Sequence, residues 1–232
     1  MAPHRRDFLA WLGGSSMFAI AGAPLGFRAP TAPSRADRAL NGSHAEPIDE
    51  TFDVSWADRV QGKYRAVFDS PEISEGAALF RAIIWCDQYK STYGTARAEM
   101  SPVLVLRHQA IHLTMNDEYW KRFKIGKEVK LKTPQGKKWA EANPIRTAAP
   151  GTPPEFAKFN LEQFVKDGGI VLACGLAFAD VVEKFKKGDG LDDEAAKKRA
   201  REHLVPGVIL QPSGVFAVLR AEEAGCRYIM AS

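Results

Sequence analysis

From residue 63 to its end the chain alternates short apolar runs with stretches of helical periodicity, and that alternation leaves few folds open. Lys63 to Asp69 reads as a strand ending in the turn Asp69-Ser70-Pro71. Ser74 and Glu75 then open a helix that carries Ala78, Leu79, Ala82, Ile83 and Cys86 on one stripe and runs to about Tyr93. Pro102 to Leu106 is a second buried run. The helix after it is capped by Asn116, buries Tyr119, Trp120 and Phe123, and is closed by Gly126. A helix from about Pro154 to Lys166 precedes a third run, Ile170 to Cys174, which leads into a helix through Phe178, Val181, Val182 and Phe185. Val205 to Pro212 is the fourth run, with a helix through Val215, Val218 and Leu219 to Gly225. Arg227 to Met230 is the last. Strands separated by helices pair in parallel, so the pattern predicts a three-layer α/β/α domain on a mainly parallel five-stranded sheet.

Residues 127 to about 160 interrupt the pattern with a run of lysines and then a Pro/Gly/Ala-rich stretch. Their polarity predicts a solvated insertion, and their length allows a lid or a subunit contact. The lysines between 121 and 138 read as a solvated face, and a net charge of +4 is too small to call for a nucleic-acid or membrane partner.

The first segment stands apart from the alternation. Arg5-Arg6-Asp7-Phe8-Leu9 followed by a weakly apolar stretch to Phe27 matches a twin-arginine export signal, so residues 1–27 are expected to direct a bacterial protein, already folded, to the periplasm. Gly13, Gly14, Ser15 and Ser16 dilute that stretch, and no stable membrane insertion is expected after export. Residues 28–60, rich in Ala, Pro, Ser and charge, read as a linker with a short ordered piece near Phe52 to Trp56. The folded domain is therefore expected at 61–232.

In a parallel sheet the carboxyl ends of the strands form the ligand crevice. Asp69, His108, Cys174 and Ser213 each follow an apolar run and are expected to converge there, with Gly175 beside the cysteine. A cysteine at the turn into a helix lies where the helix N-terminus stabilises a thiolate. Cys86 and Cys226 read as packing residues; three cysteines leave at least one unpaired in a monomer. His108 and His112 have the four-residue spacing of a metal-ligand pair, yet hydrogen-bonded structural histidines answer it equally well, and neither metal nor cofactor is expected.

Gly169-Ile170-Val171-Leu172-Ala173-Cys174, Leu204-Val205-Pro206-Gly207-Val208, Pro212-Ser213-Gly214-Val215 and Gly225-Cys226-Arg227-Tyr228-Ile229, in that order, resemble the DsrE/DsrF-like family. The resemblance covers about residues 62–230 apart from the insertion. It implies a small α/β domain of YchN-like fold that forms trimers or hexamers, a sulfur-carrying cysteine at Cys174, and a histidine at the crevice in His108. The partner would be a sulfur donor or acceptor protein. Arg107-His108-Gln109-Ala110 stands where the family usually has His-Gly-Pro, and Gly-Leu-Ala follows Cys174 where many members have Gly-Asn-Thr. The function expected on this basis is transfer of sulfane sulfur through a persulfide on Cys174. Asp69 would orient the histidine, and Ser213 would hydrogen-bond a bound oxyanion. The alternative expectation is a non-catalytic oligomeric binding or assembly protein of the cell envelope, in which Cys174 is buried and inert.

Overall fold

The computed structural model describes residues 52–133, 136, 138–148 and 152–232; the expected export signal and most of the expected linker lie outside them. The described residues form a five-stranded sheet in which every pairing is parallel, in the order β4-β3-β2-β1-β5. The strands are β1 Tyr64–Ser70, β2 Met100–Leu106, β3 Ile170–Cys174, β4 Val208–Gln211 and β5 Arg227–Met230. β2, β3 and the middle of β1 are apolar because helices cover both of their faces. One face packs against α1 (Ala77–Tyr93), α2 (Asp117–Arg122), α3 (Ile125–Glu128), α4 (Leu161–Lys166), α5 (Gly175–Asp189) and α6 (Asp193–Glu202). The other is covered by α7 (Gly214–Glu223) and the 3-10 turn Ser55–Arg59. These are the three layers expected from the alternation.

The ordered domain reaches back into the stretch expected to be linker. Trp56 is buried under α7, and its indole Nε1 donates to the Gln211 side-chain oxygen at 2.9 Å. The same amide returns a hydrogen bond from Nε2 to the Asp53 carbonyl at 2.7 Å, so a fully buried glutamine at the end of β4 holds residues 53–56 down.

Local chemistry moved several helix boundaries. The first turn of the expected 74–93 helix is a 3-10 turn with Ser74 and Glu75 at positive φ, and α1 proper begins at Ala77. Residues 154–158 are turns, and only Leu161–Lys166, capped by the Asn160 side chain, is helical. Asn116 caps α2 as expected, but α2 ends at Arg122. Gly126 lies inside α3, where a Cβ would come within 2.2 Å of the Ala140 carbonyl oxygen.

Most described residues of the insertion are exposed, as expected, but residues 143–146 are anchored. Asn143 is buried, and its Nδ2 donates to the carbonyls of Leu113 and Met115, both at 2.7 Å, while Ile145 enters the larger core. Arg146 bridges Asp117 and Glu162, at 3.0 Å from its Nε and 2.7 Å from its Nη1 respectively. A side chain with several backbone partners fixes a segment as firmly as an apolar anchor. These contacts leave residues 143–146 serving as part of the wall rather than as a lid.

Candidate functional site

Strand register brings three of the expected residues, Asp69, Cys174 and Ser213, to one edge, together with Arg107. Asp69 lies at the end of β1, Arg107 follows β2, Cys174 ends β3 opposite Gln211 of β4, and Ser213 follows β4. Asp69 is buried, and a carboxylate at that depth needs strong partners. Arg107 supplies a two-pronged pair, Nε to Oδ1 at 2.8 Å and Nη2 to Oδ2 at 2.9 Å. The Tyr228 hydroxyl of β5 donates to Oδ2 at 3.0 Å. Hydrogen bonding to Asp69 raises the Arg107 pKa above its ordinary value. The Tyr228 phenol is raised as well, first by desolvation and then by the same carboxylate.

Arg107 reaches Asp69 by lying across the start of α7. A Cβ on Gly214 would sit 2.5 Å from the arginine Cδ and 2.6 Å from its Cβ, so position 214 has room only for a residue without a side chain. Arg107 is therefore held between Asp69 on one side and the mouth of α7 on the other. The pairing of Leu106 with Ala173 sets Arg107 next to Cys174 along the edge.

Cys174 is the N-cap of α5, a fifteen-residue helix, and its Sγ accepts the Ala177 N–H at 3.5 Å. Only 6% of the residue is exposed. Gly175 seats the helix against β4, since a Cβ there would come within 2.7 Å of the Gln211 carbonyl oxygen. Ser213 plays the matching part for α7, its Oγ accepting the Phe216 N–H at 3.0 Å. Two helix N-termini thus open onto one edge with Arg107 between them, and helix N-termini favour negative charge.

The other two cysteines sit differently. Burial pushes the thiols of Cys86 and Cys226 up to about 11; Cys226 packs in the smaller apolar cluster, and Cys86 lies beside Asp87, Arg97 and Asp167.

Not all of the expected residues meet. Asp69 engages Arg107 and Tyr228 instead of orienting His108. His108 takes a positive φ of 50° and lines a cleft of about 430 Å³ along the flank of α5, with Gln109, His112, Glu128, Asp180 and Lys184; Cys174 does not line that cleft. His112 is buried there, its Nδ1 2.9 Å from the Tyr119 hydroxyl and its Nε2 3.7 Å from Glu128 Oε1. Burial drives its pKa down to about 4, so it is neutral at pH 7. Among the described residues no group of three or more His, Cys, Asp or Glu side chains is placed to hold a metal ion.

Arg107 and Tyr228 are the members of the site that the sequence reading passed over. Arg107 is the first polar residue after an apolar run, as Cys174 is, and that shared position was the available signal. No family model, curated protein or solved structure matches this chain.

Proposed function

We propose that the chain is an exported thiol protein of DsrE-like type that carries sulfane sulfur as a persulfide on Cys174. The observation behind this reading is the placement of the Cys174 sulfur at the N-terminus of α5, on the carboxyl edge of the sheet and next to Arg107 by strand register. Both features put positive potential where a thiolate forms. In the step proposed, the Cys174 thiolate attacks the outer sulfur of a donor persulfide. The S–S bond of the donor breaks, the donor leaves as a thiolate, and Cys174 holds the transferred sulfur with no net oxidation. Arg107, fixed by Asp69, which Tyr228 holds in turn, faces the anion that arrives and the anion that leaves.

Intact-mass measurement of the exported protein after treatment with polysulfide, followed by peptide mapping, tests the reading. A reductant-labile gain of sulfur is expected on Cys174 and absent from Cys174→Ser. Cys86 and Cys226 should stay unmodified while the protein is folded, because thiols raised to about 11 hold about a hundredfold less thiolate near neutral pH than ordinary ones. Equal loading of all three cysteines, or none on Cys174, overturns the reading.

A second reading has its own support. Leu176 and Val215, which follow the two capping residues, are 73% and 62% exposed, and Phe216 and Leu219 extend the apolar surface along α7. Apolar side chains clustered at two helix mouths fit a docking face, with Cys174 serving only as a buried cap. Light scattering of the full chain and of Leu176→Ser/Val215→Ser, set beside sulfur loading of both, separates the readings: assembly lost in the variant while Cys174 of the parent takes up no sulfur favours docking, and loading on Cys174 favours the carrier.

A further inference from the structure

The amino-terminal edge of the same sheet holds a second concave surface that the thiol chemistry does not use. Lys63, Tyr64 and Arg65 at the start of β1, Arg227 at the start of β5, and Trp85 and Tyr89 of α1 line a cleft of about 520 Å³. That volume falls in the range of small-molecule sites. Arg227 is paired in register with Ala66, which packs on the α1 side of the sheet, so its side chain rises on the same face as Tyr64, Trp85 and Tyr89.

The charge of the cleft is one-sided. Among the described residues Lys63, Arg65 and Arg227 have no carboxylate partner, and no acidic residue lines the cleft. Elsewhere on the surface cations commonly pair, as Arg146, Lys158, Lys184, Lys186 and Arg220 do. Arg65 is also held in place. Its Nε donates to the Gly62 carbonyl at 2.6 Å and its Nη1 to the Ala224 carbonyl at 3.0 Å, with Gly225 close against Nη1. Carbonyl partners fix the guanidinium without cancelling its charge.

The aromatic wall is continuous. Tyr64 meets Tyr89 edge-on with ring centroids 4.8 Å apart; Tyr89 meets Trp85 at 5.2 Å and Tyr93 at 5.5 Å. The Lys63 ammonium stands 5.1 Å from the Tyr64 ring centroid. Half-buried aromatic rings beside uncompensated cations offer stacking for a flat ring and ion pairing for an attached anion.

We infer that this cleft binds a phosphorylated nucleoside, its base against the Tyr64–Trp85–Tyr89 wall and its phosphate on Lys63 and Arg227, with Arg65 as the fixed charge behind them. An acidic peptide would satisfy the cations but would leave the aromatic wall without a flat partner. A free nucleotide and the end of a single strand present the same chemistry.

Calorimetric titration of the full chain tests the inference, with adenosine monophosphate, adenosine, inorganic phosphate and a short single-stranded oligonucleotide as probes. Adenosine monophosphate should bind with Kd below about 1 mM, and adenosine or phosphate alone at least about tenfold more weakly. Arg227→Gln should weaken binding by about tenfold and Lys63→Gln by about threefold; both residues are exposed, so folding is not at stake. Cys174→Ser should leave the affinity unchanged, which separates this site from the carboxyl edge. Tighter binding of the oligonucleotide per phosphate identifies a strand as the source, and equal binding identifies a free nucleotide; either result upholds the site. The inference is overturned if neither nucleotide probe binds at about 5 mM, if an acidic peptide binds and they do not, or if the Lys63→Gln/Arg227→Gln double variant binds them as the parent does.

Discussion

The two edges of this sheet hold similar side chains and treat them in opposite ways. At the carboxyl edge Asp69, Arg107 and Tyr228 close on one another, and the capping sulfur and hydroxyl of Cys174 and Ser213 are each engaged by a helix N–H. At the amino edge Lys63, Arg65 and Arg227 gather with no acid among the lining residues, and Arg65 is held only through backbone carbonyls. A satisfied polar network fixes geometry, whereas unbalanced charge beside aromatic surface leaves binding capacity unspent. The first edge is thus a closed polar network around Cys174, and the second an open set of cations that the proposed ligand would complete. Perturbing the carboxyl side should cost stability, and perturbing the amino side should cost binding.

The largest effect is expected from His112, buried on the carboxyl side just beyond β2. Its folded-state pKa of about 4 lies below the value of about 6.5 in an unfolded chain. Between those values the unfolded chain binds the additional proton, so stability is full above about pH 6.5 and falls as the pH drops towards 4, by about 3 kcal/mol in all. Urea denaturation at several pH values should show the loss, and His112→Asn, which keeps a polar partner for the Tyr119 hydroxyl, should flatten this part of it. His203 is also lowered by burial and shifts in the same direction, so the difference between parent and variant is the quantity to read. An unchanged slope in the variant would place the titration elsewhere.

Next comes the ion pair at the carboxyl edge. Arg107→Leu strands a carboxylate whose side chain is 3% exposed, but the arginine is itself 30% exposed and water can partly replace it. Removing one member of a fully buried pair costs about 3–5 kcal/mol, so about 2–3 kcal/mol is expected here, seen as a lower urea midpoint with the slope retained. Arg107→Lys keeps the charge but loses the second prong, and should recover part of the loss. A midpoint that does not move would mean that Asp69 finds its partners without the arginine, and the closed character given to this edge would go with it.

How far these features were legible follows from the same contrast. Apolar runs such as Val103–Leu106 and Ile170–Ala173 are visible in sequence because helices bury both their faces, and the loop order then places Cys174 and Ser213 at a common edge. Which residue of Arg107-His108 turns inward was not visible. That depends on the positive φ of His108, which sends it along α5 while Arg107 crosses to Asp69. The anchoring of the insertion was hidden for a related reason: Asn143 is polar, and only the carbonyls of Leu113 and Met115 make its burial favourable. Lys63 and Arg227 are distant in sequence and become neighbours only through the pairing of β1 with β5.

The smallest effect is the one that most sharpens the comparison. Lys63→Leu and Arg227→Leu are charge removals like Arg107→Leu, yet no described carboxylate loses a partner in either case. Exposed sites of this kind shift stability by no more than about 0.5 kcal/mol. Removing one of several like charges lessens their mutual repulsion, so the sign should tend towards stabilisation, and added salt should shrink the gain by screening the repulsion that remains in the parent. Thermal or urea unfolding of the two variants at low and high salt would show it. A loss of more than about 1 kcal/mol would mean that the cations hold a structural partner, and the amino edge would then be a second closed network like the first. A neutral or stabilising change, set against the cost at Arg107, would show these cations to be dispensable to the fold, which is what a binding surface requires.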